Sequence, residues 1–265
     1  MEDKYSSKHE LDKFYTKESV AKECLENLDL DSYDCVIEPS AGSGAFSNSI
    51  KHKNLIALDL KPEAPGIAAM DWFDYKHTCK GKTIVVGNPP FGKRNYLSKE
   101  FIKHAITFAD TIAMILPNVY NKHTNQAIFP KGWRLVRVVD IGDNAFTLDG
   151  EEYHVPCSFY IFDKSPGDNL MFDVSLYKDC KDFSYCKKEE ADLFIMGAGC
   201  KVKEVSEVTT TNRGYYIKSN IEKHVLISRL NNTKWYGQSS ANGGVWWLSK
   251  PELIKLYKEQ HETTT

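Results

Sequence analysis

Four residues in the first half of the chain carry groups that could hold a planar amine. Asn88, Pro89, Pro90 and Phe91 follow directly after Thr83–Gly87, a run rich in β-branched residues. Prolines fix φ and lack an N–H group, so we expect the carbonyls of Asn88 and Pro89 to stay free to accept hydrogen bonds. An amide oxygen, a free carbonyl and an aromatic ring form a receptor for the edge of a nucleobase. The alternative is a plain turn that ends a buried strand.

A second group of residues has the order of a nucleotide-like ligand site. A short apolar strand ends on Glu38, and a turn with Gly42 and Gly44 follows it. The polar stretch from this turn to Lys51 is predicted to be helical. Strand, glycine turn and helix is the order in which such a ligand lies against the backbone of the turn. The next strand ends on Asp59, where a carboxylate can accept hydrogen bonds from ribose hydroxyls.

The elements that position these residues alternate between helices and strands. Residues 11–28 have one apolar face and predict a helix capped by Thr16. Residues 111–117 form an unbroken apolar run, which is typical of a central parallel strand. The predicted strands 134–141 and 155–162 are joined by too few residues for a crossover helix, so we expect them to be antiparallel.

The composition is that of an ordinary globular protein. Of 265 residues, 42% are hydrophobic and 26% are charged, which suits one large α/β domain with a small appendage. Without an apolar run of about 18 residues or an apolar leader, we expect a cytoplasmic or nucleoid-associated protein, nuclear in a eukaryotic or viral setting, and no membrane partner. The seven cysteines lack Cys-x-x-Cys spacing, so we expect reduced, mostly buried thiols and no metal.

Charge and composition change in the second half of the chain. Residues 1–194 contain 24 Lys and Arg against 30 Asp and Glu, whereas residues 195–258 contain 10 against 4. The resulting charges of −6 and +6 suggest a polyanion contact at one end, or a solvated lysine-rich surface. Because residues 163–168 have the composition of a linker, we expect one domain over 1–164 and a small α+β region over 165–265.

With these motifs in order, about 162 positions of the chain resemble the class I S-adenosylmethionine-dependent methyltransferases. Within that class, the chain is most similar to the N6-adenine-specific nucleic-acid methyltransferases, whose signature is Asn-Pro-Pro-Phe/Tyr. The order of its motifs is similar to that of the DNA enzymes whose recognition region lies at the C-terminus. The motifs that carry it are Phe14-Tyr-Thr, Glu38-Pro-Ser-Ala-Gly-Ser-Gly-Ala-Phe46, Asp59, Asp71 and Asn88-Pro-Pro-Phe91. The resemblance implies a Rossmann-like sheet of seven mostly parallel strands, with helices on both faces and an antiparallel pair at one edge.

The resemblance also implies how S-adenosylmethionine is held before it leaves as S-adenosylhomocysteine. Glu38 would bind the methionine end, Asp59 the ribose hydroxyls, and Asp71 the exocyclic amine of the cofactor adenine. Gly42 and Gly44 lack side chains and would let the cofactor approach the backbone. The other residues implied in cofactor binding are Tyr15, Thr16, Pro39, Leu60, Trp72 and Asn88. Each acid could instead cap a helix or carry a surface charge.

The implied reaction is methyl transfer to N6 of a flipped adenine, with double-stranded DNA as partner and the protein a monomer or homodimer. Asn88 and Pro89 would accept the two N–H groups of the amine, Pro90 would complete this catalytic corner, and Phe91 would stack on the base. Three other classes stay open: methylation of RNA adenine, methylation of a protein glutamine amide, and an inactive nucleic-acid-binding module. Cytosine N4 is disfavoured by Asn rather than Ser at position 88.

Further substrate contacts are expected around this corner. Phe146 would form the opposite wall of the base pocket, although Tyr153 is a rival and Phe146 could equally be core. Lys93 and Arg94 directly follow the corner and could bind a phosphate or form a solvated turn. The tryptophans of the C-terminal region are expected in the core rather than as stacking surfaces: Trp235, Trp246 and Trp247.

Overall fold

The computed structural model describes three ranges of the chain, residues 14–148, 150–235 and 247–262. The chain forms two compact units. The first unit comprises Met1–Tyr120 and Thr124–Met171, and the second comprises Asn121–His123 and Phe172–Thr265. The first unit therefore ends at residue 171, beyond the domain end expected at residue 164.

The first unit is built around a mixed sheet of seven strands. The strands of this unit are β1 (Tyr15–Thr16), β2 (Cys35–Glu38), β3 (Leu55–Asp59), β4 (Ala68–Ala69), β5 (Thr83–Gly87), β6 (Thr111–Pro117), β7 (Arg134–Asp140), β8 (Phe146–Leu148), β9 (Glu151–Tyr153) and β10 (Cys157–Asp163). The central sheet has the order β4-β3-β2-β5-β6-β10-β7, in which β10 runs antiparallel to both of its neighbours and the other pairs are parallel. The predicted fold class and the predicted antiparallel edge pair are confirmed. Strands β1, β8 and β9 form a separate antiparallel sheet.

Helices cover both faces of the central sheet. The helices in the first half of the chain are α1 (Glu18–Leu25), α2 (Tyr96–Ile106) and the short α3 (His123–Gln126). On one face, Cys24 of α1 belongs to a buried cluster with Val36 of β2. On the other face, Ile102 of α2 belongs to a second cluster with Ile37 and Val85. Burial from both sides explains why these strands are apolar without alternation.

The first helix is shorter than the sequence predicts. It was expected over residues 11–28 with Thr16 as its cap, but α1 begins at Glu18 and its N-cap position is Lys17. Thr16 instead pairs in β1 with β8. Residues 11–13 of the predicted helix lie outside the described residues. A long-range backbone pairing has replaced the local capping interaction that the sequence pattern favoured.

The predicted helix after the glycine turn is absent from the described structure, which has turns there. Residues from Gly44 to Ser49 form successive turns, and Lys51 has no regular structure. Asn48 and two serines occupy this stretch, and such side chains compete for nearby backbone groups. Ser49 Oγ, for example, donates to the Ala45 carbonyl at 3.1 Å.

The second unit is an α+β structure, as predicted for the C-terminal region. Its elements are β11 (Phe183–Tyr185), β12 (Leu193–Met196), β13 (Val202–Glu204), β14 (Gly214–Ser219), α4 (Lys223–Asn232) and α5 (Lys250–His261). The strands form an antiparallel sheet in the order β11-β14-β12-β13. Trp235 is buried as expected, whereas Trp247 is 39% exposed, against expectation. Trp246 lies outside the described residues. In the part of the chain that the structure describes, no helix is long and apolar enough to cross a membrane.

All seven cysteines are free thiols. Four of them are buried, namely Cys24, Cys35, Cys157 and Cys200. Burial raises the pKa of Cys24 to about 12, with a smaller contribution from neighbouring Glu23. A thiol with such a pKa stays protonated at neutral pH and is a poor nucleophile.

Candidate active site

A cleft opens at the carboxyl ends of β2 and β5 in the first unit. Chain connections leave these two neighbouring strands in opposite directions, and open α/β sheets bind ligands at such a switch point. The cleft has a volume of about 1040 Å³ including its open mouth. Thirteen of the residues predicted from the sequence line it: Tyr15, Thr16, Glu38, Pro39, Gly42, Asp59, Leu60, Asp71, Trp72, Asn88, Pro89, Pro90 and Phe91.

Four predicted residues do not line the cleft. Gly44 lies within the glycine turn, and Lys93 and Arg94 are exposed beyond the catalytic corner. Phe146 is 0% exposed and packs in the core cluster that contains α1. Phe146 therefore has no free surface to offer a base.

The Asn88 side chain is oriented by Thr16. Asn88 Nδ2 donates to Thr16 Oγ1 at 3.1 Å, across 72 residues of sequence. Asn88 Oδ1 is buried, and among the residues that the structure describes it has no hydrogen-bond partner. A buried acceptor without a partner costs free energy that a ligand donor would recover. Asn88 Oδ1 is therefore available to accept a hydrogen bond from a ligand.

The backbone carbonyls of the same corner differ from each other. The Asn88 carbonyl accepts from Ser40 Oγ at 3.0 Å, so the expectation that this carbonyl stays free is wrong. For Pro89, no donor to the carbonyl is found within the described ranges of the chain. Two acceptors therefore remain at the corner, the Asn88 side-chain oxygen and the Pro89 carbonyl.

The glycine turn is held in a backbone conformation that side chains disfavour. Gly42 and Gly44 have φ values of +50° and +92°. The Gly42 N–H donates to Asp59 Oδ2 at 2.7 Å, and the Lys61 N–H donates to Asp59 Oδ1 at 2.7 Å. Asp59 thus ties the turn to the end of β3. Each carboxylate oxygen has a further lone pair for a ligand hydroxyl.

Glu38 is a buried acid at the end of β2. It is 2% exposed, and no described residue forms a hydrogen bond with its Oε2. Burial is the main cause that raises the pKa of Glu38 to about 8, against the lowering effect of hydrogen bonds from Ser47 and with a small raising effect of nearby Asp59. A cationic ligand group beside this carboxyl would favour its charged form. Within the residues that the structure describes, no group of three or more His, Cys, Asp or Glu side chains could hold a metal ion.

Asp71 and Trp72 form the wall of the cleft beyond β4. Asp71 Oδ1 accepts from the Phe73 N–H at 2.9 Å, so this acid caps a turn as well as lining the cleft. Trp72 is 2% exposed, and its Nε1 donates to the Phe101 carbonyl at 3.2 Å. The Trp72 ring also stacks on Tyr75 with centroids 5.5 Å apart. These contacts fix the indole ring in one orientation.

The exposed aromatic surface near the corner comes from Phe14 and Tyr153, whereas Phe91 lines the cleft but is only 7% exposed. Phe14 lines the cleft and stacks on Tyr153, with centroids 4.7 Å apart and planes inclined by 16°. Tyr153 is 40% exposed, whereas buried Phe146 lies 6.4 Å from Phe14. No ligand role was expected for Phe14 from the sequence. The signal that could have found it is its place beside Tyr15 in the same motif.

Further contacts at the cleft were not expected from the sequence. Tyr15 Oη donates to the Glu63 carboxylate at 2.7 Å, and the Glu63 N–H donates to the Gly42 carbonyl at 3.0 Å. Glu63 lies in the β3–β4 loop, where the sequence gives no pattern to follow. The lining residues that were not predicted are Phe14, Ser40, Ala41, Ser43, Ala45, Phe46, Lys61, Glu63 and Phe101.

The chain matches no family model and no curated protein by sequence. Solved structures resemble it at low identity. A protein from Pyrococcus horikoshii assigned as an RNA methyltransferase is 18% identical, with a TM-score of 0.45 over 61% of this chain and 93% of that one. A modification subunit assigned to a type I restriction enzyme of Vibrio vulnificus is 13% identical, with a TM-score of 0.43 over 90% of this chain and 59% of that one. The 23S rRNA methyltransferase ErmE is 11% identical, with a TM-score of 0.43 over 94% and 99%.

The strand order, rather than these comparisons, defines the class of fold. A seven-stranded sheet with a central switch point and an antiparallel β10 is the Rossmann-like fold that class I methyltransferases adopt.

Proposed function

We propose that this protein transfers the methyl group of S-adenosylmethionine to N6 of adenine in DNA. The observation that carries the proposal is the unpartnered Asn88 Oδ1 next to the unbonded Pro89 carbonyl. Phe91 lies beside these acceptors, and Glu38 and Asp59 line the same cleft. One cleft thus combines a receptor for a planar amine with acids suited to the cofactor.

The residues present fit S-adenosylmethionine. The unpartnered Glu38 Oε2 fits the ammonium group of the methionine end, and Asp59 has lone pairs for the ribose hydroxyls. Gly42, at φ +50°, leaves the backbone open to close approach. Asp71 and the fixed Trp72 ring would meet the cofactor adenine. When bound, the cofactor supplies a methyl group on a positively charged sulfur, which is already a strong electrophile.

The work left to the protein is to position a weak nucleophile. An aromatic amine shares its lone pair with the ring. Two acceptors, Asn88 Oδ1 and the Pro89 carbonyl, would each take one N–H and draw the nitrogen toward sp3 geometry. Thr16 would hold the amide so that its oxygen, rather than its NH2 group, faces the substrate. No base is needed before transfer because the methylated product cation is a strong acid.

The target base must leave the duplex to reach this corner. Flipping costs a few kcal/mol, and aromatic stacking returns about 1–3 kcal/mol per base. Phe91 and Phe14, which both line the cleft, are the rings that we assign to this stacking. The basic segment 195–258, at +6, suits a polyanion, and we assign target recognition to the second unit.

Labelled cofactor tests the proposal when it is incubated with pools of DNA, RNA and protein. The wild type should label adenine N6 in DNA, and Asn88→Ala should incorporate label about 100-fold more slowly or not at all. Label in RNA alone would show that the substrate is RNA rather than DNA, with the same methyl-transfer chemistry. Label in a protein glutamine would show that the substrate is a protein amide, held by the same two acceptors. Equal, background label from both proteins in all pools would overturn the enzyme function.

A further inference from the structure

Three exposed side chains follow the catalytic corner, and none of them takes part in the proposed methyl transfer. Lys93, Arg94 and Tyr96 are exposed, and Tyr96 has 60% of its surface open to solvent. Within the described ranges, no hydrogen bond, ion pair or ring contact engages these three side chains. A large exposed aromatic ring that follows two cations, a few residues beyond a reaction centre, is suited to contact a ligand outside the cleft.

The backbone of this segment is strained. Arg94 has φ 54° and ψ 34°, and Asn95 has φ 59° and ψ 25°, so two successive non-glycine residues are left-handed. This conformation is uncommon outside glycine and persists where surrounding structure enforces it, often at functional sites. Here the Asn95 N–H donates to the Gly92 carbonyl at 3.1 Å, and Ser98 Oγ donates to the Asn95 carbonyl at 3.1 Å.

The same segment is tied to the base-stacking residue. The Leu97 N–H donates to the Phe91 carbonyl at 3.1 Å. Tyr96 is therefore one residue away from a backbone hydrogen bond to Phe91. A ligand whose target group contacts Phe91 would place its neighbouring groups within reach of Tyr96.

We infer that Tyr96 stacks on the base next to the flipped adenine, while Lys93 and Arg94 bind the flanking phosphates. The inference rests on the proposed function, because it needs a base that has left its stack. Extruding one base exposes the face of its neighbour, and an aromatic ring can replace the lost stacking. The adjacent cations match the phosphates on either side of the extruded nucleotide.

Methylation of two duplexes of one sequence tests the role of Tyr96. In the paired duplex every base is present and paired, and in the abasic duplex the two nucleotides that flank the target adenine lack their bases, which leaves Tyr96 no base to stack on. Tyr96→Ala should lower kcat/KM on the paired duplex by about 5- to 150-fold, the range that stacking on one base corresponds to. The loss on the abasic duplex should be clearly smaller. Tyr96→Phe keeps the ring and should retain wild-type rates on both duplexes.

Three results would overturn the inference. They are a Tyr96→Ala rate within twofold of wild type on the paired duplex, an equal loss on both duplexes, and a Tyr96→Phe loss as large as that of Tyr96→Ala. If the wild type methylates neither duplex, the proposed function on DNA fails, and this inference fails with it. If the wild type methylates the paired duplex, the proposed function on DNA stands, and the Tyr96 variants then test the stacking role alone.

Salt dependence tests the phosphate contacts. Lys93→Ala and Arg94→Ala should each reduce the slope of log KM for DNA against log salt concentration by about one. Lys80→Ala is the matched control, because Lys80 is exposed and precedes β5 at the amino edge of the sheet, away from the cleft. If the slopes of Lys93→Ala and Arg94→Ala equal those of wild type and Lys80→Ala, these two residues do not bind the flanking phosphates.

Discussion

Replacing Glu38 by glutamine should change how the stability of the protein depends on pH. In the unfolded chain this carboxyl ionises near pH 4.5, whereas burial raises its pKa in the folded state to about 8. Between these two values the folded state binds more protons than the unfolded state, so stability falls as the pH rises. Each pH unit corresponds to about 1.4 kcal/mol. From pH 5 to pH 8, wild type should therefore lose about 3.5 kcal/mol relative to Glu38→Gln, because the unfolded carboxyl is only partly ionised at pH 5 and the folded one is half ionised at pH 8.

Urea unfolding of both proteins without cofactor at pH 5, 6, 7 and 8 measures this difference. Other titrating groups contribute equally to the two proteins and cancel in the comparison. Glutamine has its own hydrogen-bonding needs, which shift the difference by a constant at every pH. A difference that varies by less than about 1 kcal/mol between pH 5 and pH 8 would refute the assignment of a raised pKa to Glu38.

The same substitution tests where the cofactor lies. A cationic methionine end beside Glu38 should lower the pKa of its carboxyl, so binding near pH 7 should release a proton. Titration calorimetry in two buffers with different ionisation enthalpies counts the protons released. Wild type should release more protons than Glu38→Gln, and its affinity should rise with pH until about 8, where Glu38 is already ionised before binding. Equal proton counts for the two proteins would place the ammonium group elsewhere.

Two further substitutions test the parts that hold the site. Thr16→Val removes the acceptor for Asn88 Nδ2 and should lower kcat about fivefold at saturating cofactor, since one hydrogen bond contributes about 1 kcal/mol. Thr16→Ser should keep the rate, and an unchanged kcat for Thr16→Val would contradict the orienting role. Gly44→Ala should lower the free energy of unfolding by about 1–3 kcal/mol, because it places a side chain at φ +92°. Its Cβ would also lie 2.7 Å from Asn48 Nδ2, and an unchanged urea midpoint would contradict this strain.

The sheet could be predicted because its signals are local. Buried strands such as β6 are unbroken apolar runs, and the acids that end β2 and β3 stand directly after such runs. The antiparallel pairing of β7 with β10 followed from the shortness of their connection, which leaves no room for a crossover helix. Each of these inferences needs only a few neighbouring residues.

The contacts that complete the site are long-range and could not be predicted in this way. Thr16 has the residue type of a helix cap, but its partner is Asn88, 72 residues away. Phe146 and Tyr153 could not be ranked from the sequence, because the pairing of β1 with β8 decides which ring is buried. Two-residue β1 has too little pattern to predict that pairing. Tertiary structure therefore decided the roles that local propensity left open.

The most direct test of the proposed function compares wild type with Asn88→Ala in two measurements on the same preparation. The first is N6-methyladenine formed per minute in duplex DNA, measured by mass spectrometry of the digested nucleosides. The second is the Kd for S-adenosylmethionine, measured by calorimetry. Asn88→Ala should lower the rate at saturating cofactor by about 100-fold or more, as loss of one transition-state contact does, with Kd changed by less than about fivefold. A variant that retains the wild-type rate, or a wild type that forms no N6-methyladenine, would contradict the assignment of Asn88 as the residue that presents the amine.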